Sequence, residues 1–99
     1  MNIVIIQKSH RPDKKLDAIV NGTKTIPFGA KNYSDFTIHK DEARKQRYIQ
    51  RHRGMGEDWG NPLTAGFYAL NVLWNKRTLK ESMDDMNRRF KNYHFILRI

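Results

Sequence analysis

Basic side chains are concentrated between residues 40 and 53, where six bases face two acids and give a local net charge of +4. On a helix, four of them recur at intervals of four, three and four residues and form one stripe, with Tyr48 beside it. Arginine suits this position because its planar guanidinium can grip a phosphate through two hydrogen bonds. The alternative is a solvated helix face, but acids one turn away that would neutralise the stripe are lacking. We therefore predict a phosphate-binding helix face built from Lys40, Arg44, Arg47 and Arg51.

Two further groups of bases lie outside this segment. The first belongs to the N-terminal part of the chain, and the second follows Asp84 and Asp85 at the end of a predicted helix, where cations also suit the helix dipole. Adjacent acids on a helix point to different faces, so we expect these two to be solvated. The predicted nucleic-acid contacts are completed by Arg11, Lys14, Lys15, Lys24, Lys45, Tyr48 and Arg53.

Evidence for catalysis is weaker. His39 and His52 flank the basic segment, and this pair suggests a metal-dependent nuclease as one alternative. Five acids lie nearby in the sequence: Asp35, Asp41, Glu42, Glu57 and Asp58. Their spacing matches no established ligand motif. We therefore expect no catalytic residue, no metal and no cofactor.

The first third of the chain has β character. A β-branched run at 3–6 is followed by two more at 16–20 and 23–28, joined by Asn21-Gly22. Asn-Gly between such runs predicts a hairpin, because both central residues of a type I′ turn need positive φ. Pro27 cannot donate to a ladder, so its strand either ends there or lies at an edge. The alternating segment 93–99 predicts a last strand, which could pair within the chain or between two chains.

The middle of the chain has helical character. Start signals are Ser34 for a single turn in 33–39, Asp41 for a helix that ends at Gly54, and Thr78 with Glu81 as a capping box. The segment 63–74 predicts a further helix, and 57–62 a loop. The expected architecture is α+β, a small antiparallel sheet packed against two to three helices in one domain spanning 1–99. The expected core is Ile5, Leu16, Val20, Phe28, Phe67, Leu70, Trp74, Met83 and Phe90.

Composition narrows the class of protein. The 99 residues carry a net charge of +9, yet 38% are hydrophobic and 11% aromatic, which is too apolar for a disordered polycation. The lack of cysteine excludes a disulfide scaffold and cysteine-ligated zinc sites. No apolar run reaches the ~20 residues of a membrane span, and the N-terminus lacks signal-peptide features. We expect a protein that is neither secreted nor membrane-bound.

Several long motifs carry a resemblance to a known group of proteins. They are FGAKNYSDFTIHKD at 28–41, RKQRYIQRH at 44–52, TAGF at 64–67 and LWNK at 73–76. In these the chain resembles a family of small, basic, functionally uncharacterised proteins of nucleocytoplasmic large DNA viruses (giant viruses) and some phages. The resemblance implies a viral protein acting in a virion, a cytoplasmic virus factory or the host nucleus. It brings no catalytic residue with it.

These observations favour a non-enzymatic nucleic-acid-binding accessory protein, with DNA a better candidate than RNA, that grips the phosphate backbone and could form a homodimer. The alternative is a minor virion or capsid-interaction protein whose basic face meets an acidic protein partner. Its contacts would then be Tyr48, Trp59, Tyr93, His94 and Phe95.

Overall fold

The computed structural model describes residues 1–56 and 59–99. Glu57 and Asp58, at the start of the predicted loop, lie outside the described residues. In chain order the elements are strands β1 (Asn2–Lys8), β2 (Lys14–Val20) and β3 (Lys24–Ala30), helices α1 (Phe36–His39), α2 (Glu42–Arg53) and α3 (Ala65–Tyr68), a π-helical turn (Ala69–Leu73), helix α4 (Leu79–Arg89) and strand β4 (Tyr93–Arg98). The predicted α+β class is confirmed.

The four strands form one sheet in the order β3-β2-β1-β4. β2 is antiparallel to both of its neighbours, as predicted, but β4 runs parallel to β1, with Tyr93 opposite Asn2. The sheet is therefore mixed, and the prediction of a wholly antiparallel sheet is wrong in this detail. The reason is the crossover: the helices return the chain to the end of the sheet where β1 begins, so β4 must run in the same direction. Of the two pairings left open for the last strand, the structure shows the one within the chain, between β4 and β1.

The predicted hairpin is confirmed. Asn21 and Gly22 both have positive φ, at 52° and 69°, and the Thr23 amide donates to the Val20 carbonyl at 3.0 Å. The Asn21 side chain also accepts from the Ile3 amide at 2.9 Å, which ties the turn to β1. β3 is an edge strand, so Pro27 leaves no ladder position unpaired in the sheet interior.

The core lies between the helices and one face of the sheet. Side chains alternate along a strand, and in β1 it is Val4 and Ile6 that are buried against the helices. Ile5 points to the opposite face and is only half-buried, so its placement in the core was wrong. In a run of four β-branched residues, alternation does not reveal which face is inside. Leu70, Trp74 and Phe90 are half-buried; the buried apolar residues of this core are Val4, Ile6, Leu16, Ala18, Val20, Ile26, Phe28, Phe67, Tyr68, Val72, Leu73, Met83, Met86 and Phe95.

Helix starts follow the capping signals with one exception. Asp41 accepts from the amides of α2, and Thr78 accepts from the Glu81 amide at 3.1 Å as the predicted cap of α4. The Glu81 carboxylate accepts from the Thr78 hydroxyl at 3.0 Å, in place of the backbone amide of a full capping box. The cap of α1 is Asp35 rather than Ser34. A carboxylate serves better here because it accepts from the Thr37 amide and from the Lys15 ammonium together. Among the described residues, none of the helices is long and apolar enough to cross a membrane.

The outer edge of β4 is covered at its centre by one side chain of α4. The Asn87 side-chain amide donates to the Phe95 carbonyl at 3.0 Å, and its oxygen accepts from the Phe95 amide at 2.7 Å. One residue thus imitates a neighbouring strand and satisfies the backbone groups that an open edge would offer to another chain.

We predict that Asn87→Ala lowers the free energy of unfolding by about 2 kcal/mol, since two hydrogen bonds of about 1 kcal/mol each are lost. Urea denaturation measures this, and light scattering should show increased self-association through the uncovered edge. The matched control is Asn92→Ala at an exposed turn position, expected to change stability by less than about 0.5 kcal/mol. Equal effects of the two substitutions would contradict this role for Asn87.

Candidate nucleic-acid interface

Helix α2 is attached to the rest of the molecule through few side chains. Tyr48, its buried residue, stacks on Trp74 at 4.2 Å between ring centroids and 3° between planes. His52 stacks on Tyr48 at 4.0 Å, and since two rings cannot share one face, Tyr48 lies between them. Lys45 reaches inward, donates to the Asn75 carbonyl at 2.7 Å and places its ammonium over the Phe36 ring. Lys45 and Tyr48, both predicted ligand contacts, therefore hold the helix in place.

The three arginines of the predicted stripe share one face of α2 and are exposed. Within residues 1–56 and 59–99, Arg44, Arg47 and Arg51 form no ion pair. Lys40 does not extend the stripe, because Asp41 begins the helix after it. Lys40 has φ 55°, ends α1, and donates to the Thr37 carbonyl at 2.8 Å. Arg53 is exposed in the last turn of α2.

A cavity of about 510 Å³ opens beside this arginine face, between the end of β3, α2 and α3. Arg44, Arg51 and His52 line it from α2, and Lys14 lines it from β2. A smaller cavity of about 130 Å³ adjoins it and is lined by all three arginines together with Tyr48 and Trp74. The larger volume lies within the range of about 300–1,000 Å³ typical of small-molecule sites.

The opposite wall of the larger cavity is built from small residues that the sequence analysis did not single out. Ala65, Gly66 and Ala69 line it from α3 and the π-helical turn, and Gly29 and Ala30 from β3. Gly29 has φ +79°, a conformation that other residues rarely adopt, and a Cβ there would lie 2.6 Å from Leu73 Cδ1 and displace it, so glycine is favoured. The spacing of Ala65 and Ala69, one turn apart, is the signal that could have revealed this smooth face.

The bases of the hairpin region are divided by the fold. Lys14 and Lys15 both line the cavity with the arginines, but the Lys15 ammonium is bound to the buried Asp35 at 2.5 Å. Arg11 pairs with Asp13 at 3.2 Å. Lys24 lies at the opposite end of β3, about 13 Å along the extended strand from Phe28, the first residue of β3 that lines the cavity. The three basic groups of the sequence thus do not converge on one face.

The basic group at the end of α4 serves a buried polar network. Asp85 is 8% exposed, so the prediction that it is solvated is wrong. Its carboxylate accepts from Arg89 at 2.9 Å and from Asn75 at 2.7 Å. Arg89 also donates to Asn71 in the π-helical turn. Burial by itself raises the pKa of Asp85, but the hydrogen bonds from Asn75 and Arg89 outweigh it and hold the pKa below its ordinary value. This network fixes the turn that presents Trp74 to α2.

The two histidines of the nuclease alternative contact different rings. The His39 ring lies 5.2 Å from the Trp74 ring, while His52 stacks on Tyr48 and donates from Nδ1 to the Tyr48 carbonyl at 3.1 Å. Across the part of the chain that the structure describes, no group of three or more His, Asp or Glu side chains could hold a metal ion. Of the contacts expected for an acidic protein partner, Tyr48 and Phe95 are buried and cannot serve.

Residues 4–52 match the model of DUF5754, a family of unknown function. The match spans a little under half of the chain, from β1 to nearly the end of α2, and so includes the cationic side of the cavity but not α3 or Trp74. No curated protein and no solved structure matches the chain. The viral origin implied by the resemblance above stays a prediction.

We predict that Tyr48→Ala detaches α2 without unfolding the sheet. Removing a buried ring costs about 3 kcal/mol, and little else that is apolar holds this helix. Hydrogen exchange should show the amides of α2 losing protection while those of β1 keep theirs. Tyr48→Phe preserves the ring stack and is expected to retain most of the protection. Unchanged exchange of α2 in the alanine variant would show that other contacts hold it.

We predict that His39 makes the protein less stable below neutral pH. Burial and the nearby Arg44 lower the pKa of His39, and its Nδ1 accepts from the Asp41 amide at 2.9 Å, a bond that only the unprotonated nitrogen can make. The unfolded chain therefore binds this proton more readily. The stability contributed by unprotonated His39 is fully present above its ordinary pKa of about 6.5, and it is lost as the pH falls through its lowered pKa in the folded protein.

The measurement compares the free energy of unfolding of wild type and His39→Asn at several pH values between 7.5 and 5. Asparagine keeps an oxygen that can accept from Asp41 but does not titrate. As the pH falls, the free energy of unfolding of wild type should decrease relative to that of the variant. Parallel curves would exclude His39 as the titrating group.

Proposed function

We propose that this chain binds nucleic acid, with DNA the first candidate, as a binding protein that contacts the phosphate backbone through Lys14, Arg44, Arg47 and Arg51. One observation carries the proposal: three arginines on one helix face form no ion pair within the described residues and line two adjoining cavities. Arg44 and Arg51 share the larger cavity with Lys14 from the sheet, and Arg47 joins them at the smaller one. Both the helical stripe and Lys14 are among the contacts predicted from the sequence, and in the fold Lys14 comes from a different element, β2.

The electrostatics support an anionic ligand. Asp35, the acid that lines the larger cavity, is already bound to Lys15, so this pair adds no net charge. Within residues 1–56 and 59–99, the four cations named above form no ion pair. Like charges at this spacing repel one another and destabilise the folded protein when no anion is present. A phosphate placed among them removes that repulsion and forms charge-assisted hydrogen bonds.

The arrangement also favours arginine chemistry over general attraction between a basic protein and a polyanion. Arg44, Arg47 and Arg51 are held on a helix whose rotation is fixed by the stack of Tyr48 on Trp74. The three arginine side chains therefore extend from fixed backbone positions, and this suits bidentate contacts between their guanidinium groups and phosphate oxygens. Lys24 and the basic residues at the end of α4 do not line either cavity, and the proposal does not include them.

The proposal is tested by measuring the affinity for DNA at several salt concentrations in wild type and in a triple variant with Arg44, Arg47 and Arg51 changed to Gln. Four phosphate contacts give a log–log slope of about −3 to −4, and removing three of them should reduce its magnitude by about 2 to 3. Affinity at low salt should fall by at least about tenfold for the variant.

The matched control removes the same charge from exposed positions away from the cavity, by changing Lys24, Lys91 and Arg98 to Gln. This control should retain most of the affinity and nearly the whole salt slope. If both triple variants lose affinity equally, net charge rather than the arginine face is responsible. If wild type does not bind DNA or RNA at low salt, the proposal is wrong.

A further inference from the structure

The larger cavity combines two kinds of wall that backbone binding alone does not require. One side carries Lys14, Arg44 and Arg51, and the facing side is small and largely apolar. A phosphate needs only cations and hydrogen-bond donors, which an open surface can offer as well. The apolar wall therefore indicates that a second part of the ligand is uncharged and has an apolar surface.

The shape of that wall suits a flat ring. Ala65, Gly66 and Ala69 present little more than backbone and methyl groups, and Gly29 and Ala30 continue this surface from the sheet. Without large side chains, a planar group can approach closely and exclude water over its whole face. Leu73 and Trp74 also line the cavity.

An aromatic side chain stands at the entrance. Tyr33 lines the cavity, yet it is 74% exposed. A large ring so exposed gains little from folding, whereas an aromatic ring beside a cationic groove is a platform on which a base can stack. Tyr48, by contrast, already has a ring on each face and offers no such platform.

We propose that the cavity holds one unstacked nucleotide of a single strand, with its base against the wall formed by Ala65, Gly66 and Ala69 and its phosphate on Arg44 and Arg51. This inference rests on the proposed function and specifies its ligand. A duplex keeps its bases stacked and paired inside its phosphates, so it could reach the arginines but not the wall. The single strand is therefore the preferred ligand.

The test uses three probes of equal length: a single-stranded oligothymidine, a blunt duplex, and an oligomer of abasic sites that keeps every phosphate but has no bases. Wild type should bind oligothymidine about tenfold more tightly than either other probe at the same salt concentration. Ala65→Phe places a ring in the mouth of the cavity without changing charge, and Ala65 is exposed, so folding is not threatened. It should lower affinity for oligothymidine to that for the abasic oligomer and leave the abasic and duplex affinities unchanged.

Two further variants separate the cavity from general effects. Tyr33→Ala should also weaken oligothymidine binding about tenfold, in line with the loss of one base–aromatic stack. Ala43→Phe puts the same ring on α2 at an exposed position that does not line the cavity, and it should bind like wild type.

The outcomes distinguish this inference from the proposed function. If the duplex or the abasic oligomer binds as tightly as oligothymidine, or if Ala65→Phe and Tyr33→Ala bind like Ala43→Phe, the nucleotide cavity is excluded while backbone binding stands. If no probe binds at low salt, both fail. Selective loss of oligothymidine binding in the two cavity variants supports the inference.

Discussion

The stack of Tyr48 on Trp74 is the contact on which the candidate site depends. Helix α2 has the sequence EARKQRYIQRHR, and its one buried residue is Tyr48. A helix so polar gains little stability from its own sequence and must be held by tertiary contacts. Two near-parallel rings 4.2 Å apart fix both its position and its rotation, and the Lys45 bond to Asn75 holds the preceding turn. The direction in which the arginines point follows from these two contacts.

The partner of that stack is itself held by polar contacts rather than by apolar packing alone. Trp74 follows a π-helical turn, where its amide donates to the Ala69 carbonyl at 3.2 Å. Asn71 in this turn and Asn75 just beyond it connect to Asp85 and Arg89 of α4. A buried carboxylate is tolerated because its hydrogen bonds offset the cost of its burial. α4 thus supports the site without touching the cavity.

Local chemistry made much of the fold predictable from sequence. Asn21-Gly22, Asp41 and Thr78 act on neighbouring backbone groups, so their effects do not depend on the rest of the chain. Features set by distant parts of the chain were not accessible in this way. The face of β1 depends on which side the helices cover, and the direction of β4 depends on the crossover. Asp85 was expected to be a surface acid because its partner Asn75 lies ten positions earlier, in a different element. The arginine stripe could be predicted from its helical spacing. The spacing of Ala65 and Ala69 indicates a smooth helix face, but the tertiary fold decides that this face meets Gly29 and Ala30 of β3 to form the cavity wall.

The distribution of charge separates the structural cations from those of the site. Asp17, Asp35 and Asp85 are buried, and each is bound by a base or by nearby donors: His10 and Ser9, Lys15, and Arg89 with Asn75. For Asp17, burial raises the pKa, but the hydrogen bonds from His10 and Ser9 prevail and lower it. The acids of the sheet and of α4 are thereby engaged with nearby partners, and those at the start of α2 lie at its cap rather than along its arginine face. In the part of the chain that the structure describes, the arginine face of α2 therefore carries positive charge without an ion pair. This arrangement costs stability in the free protein, and an anionic ligand would reverse that cost.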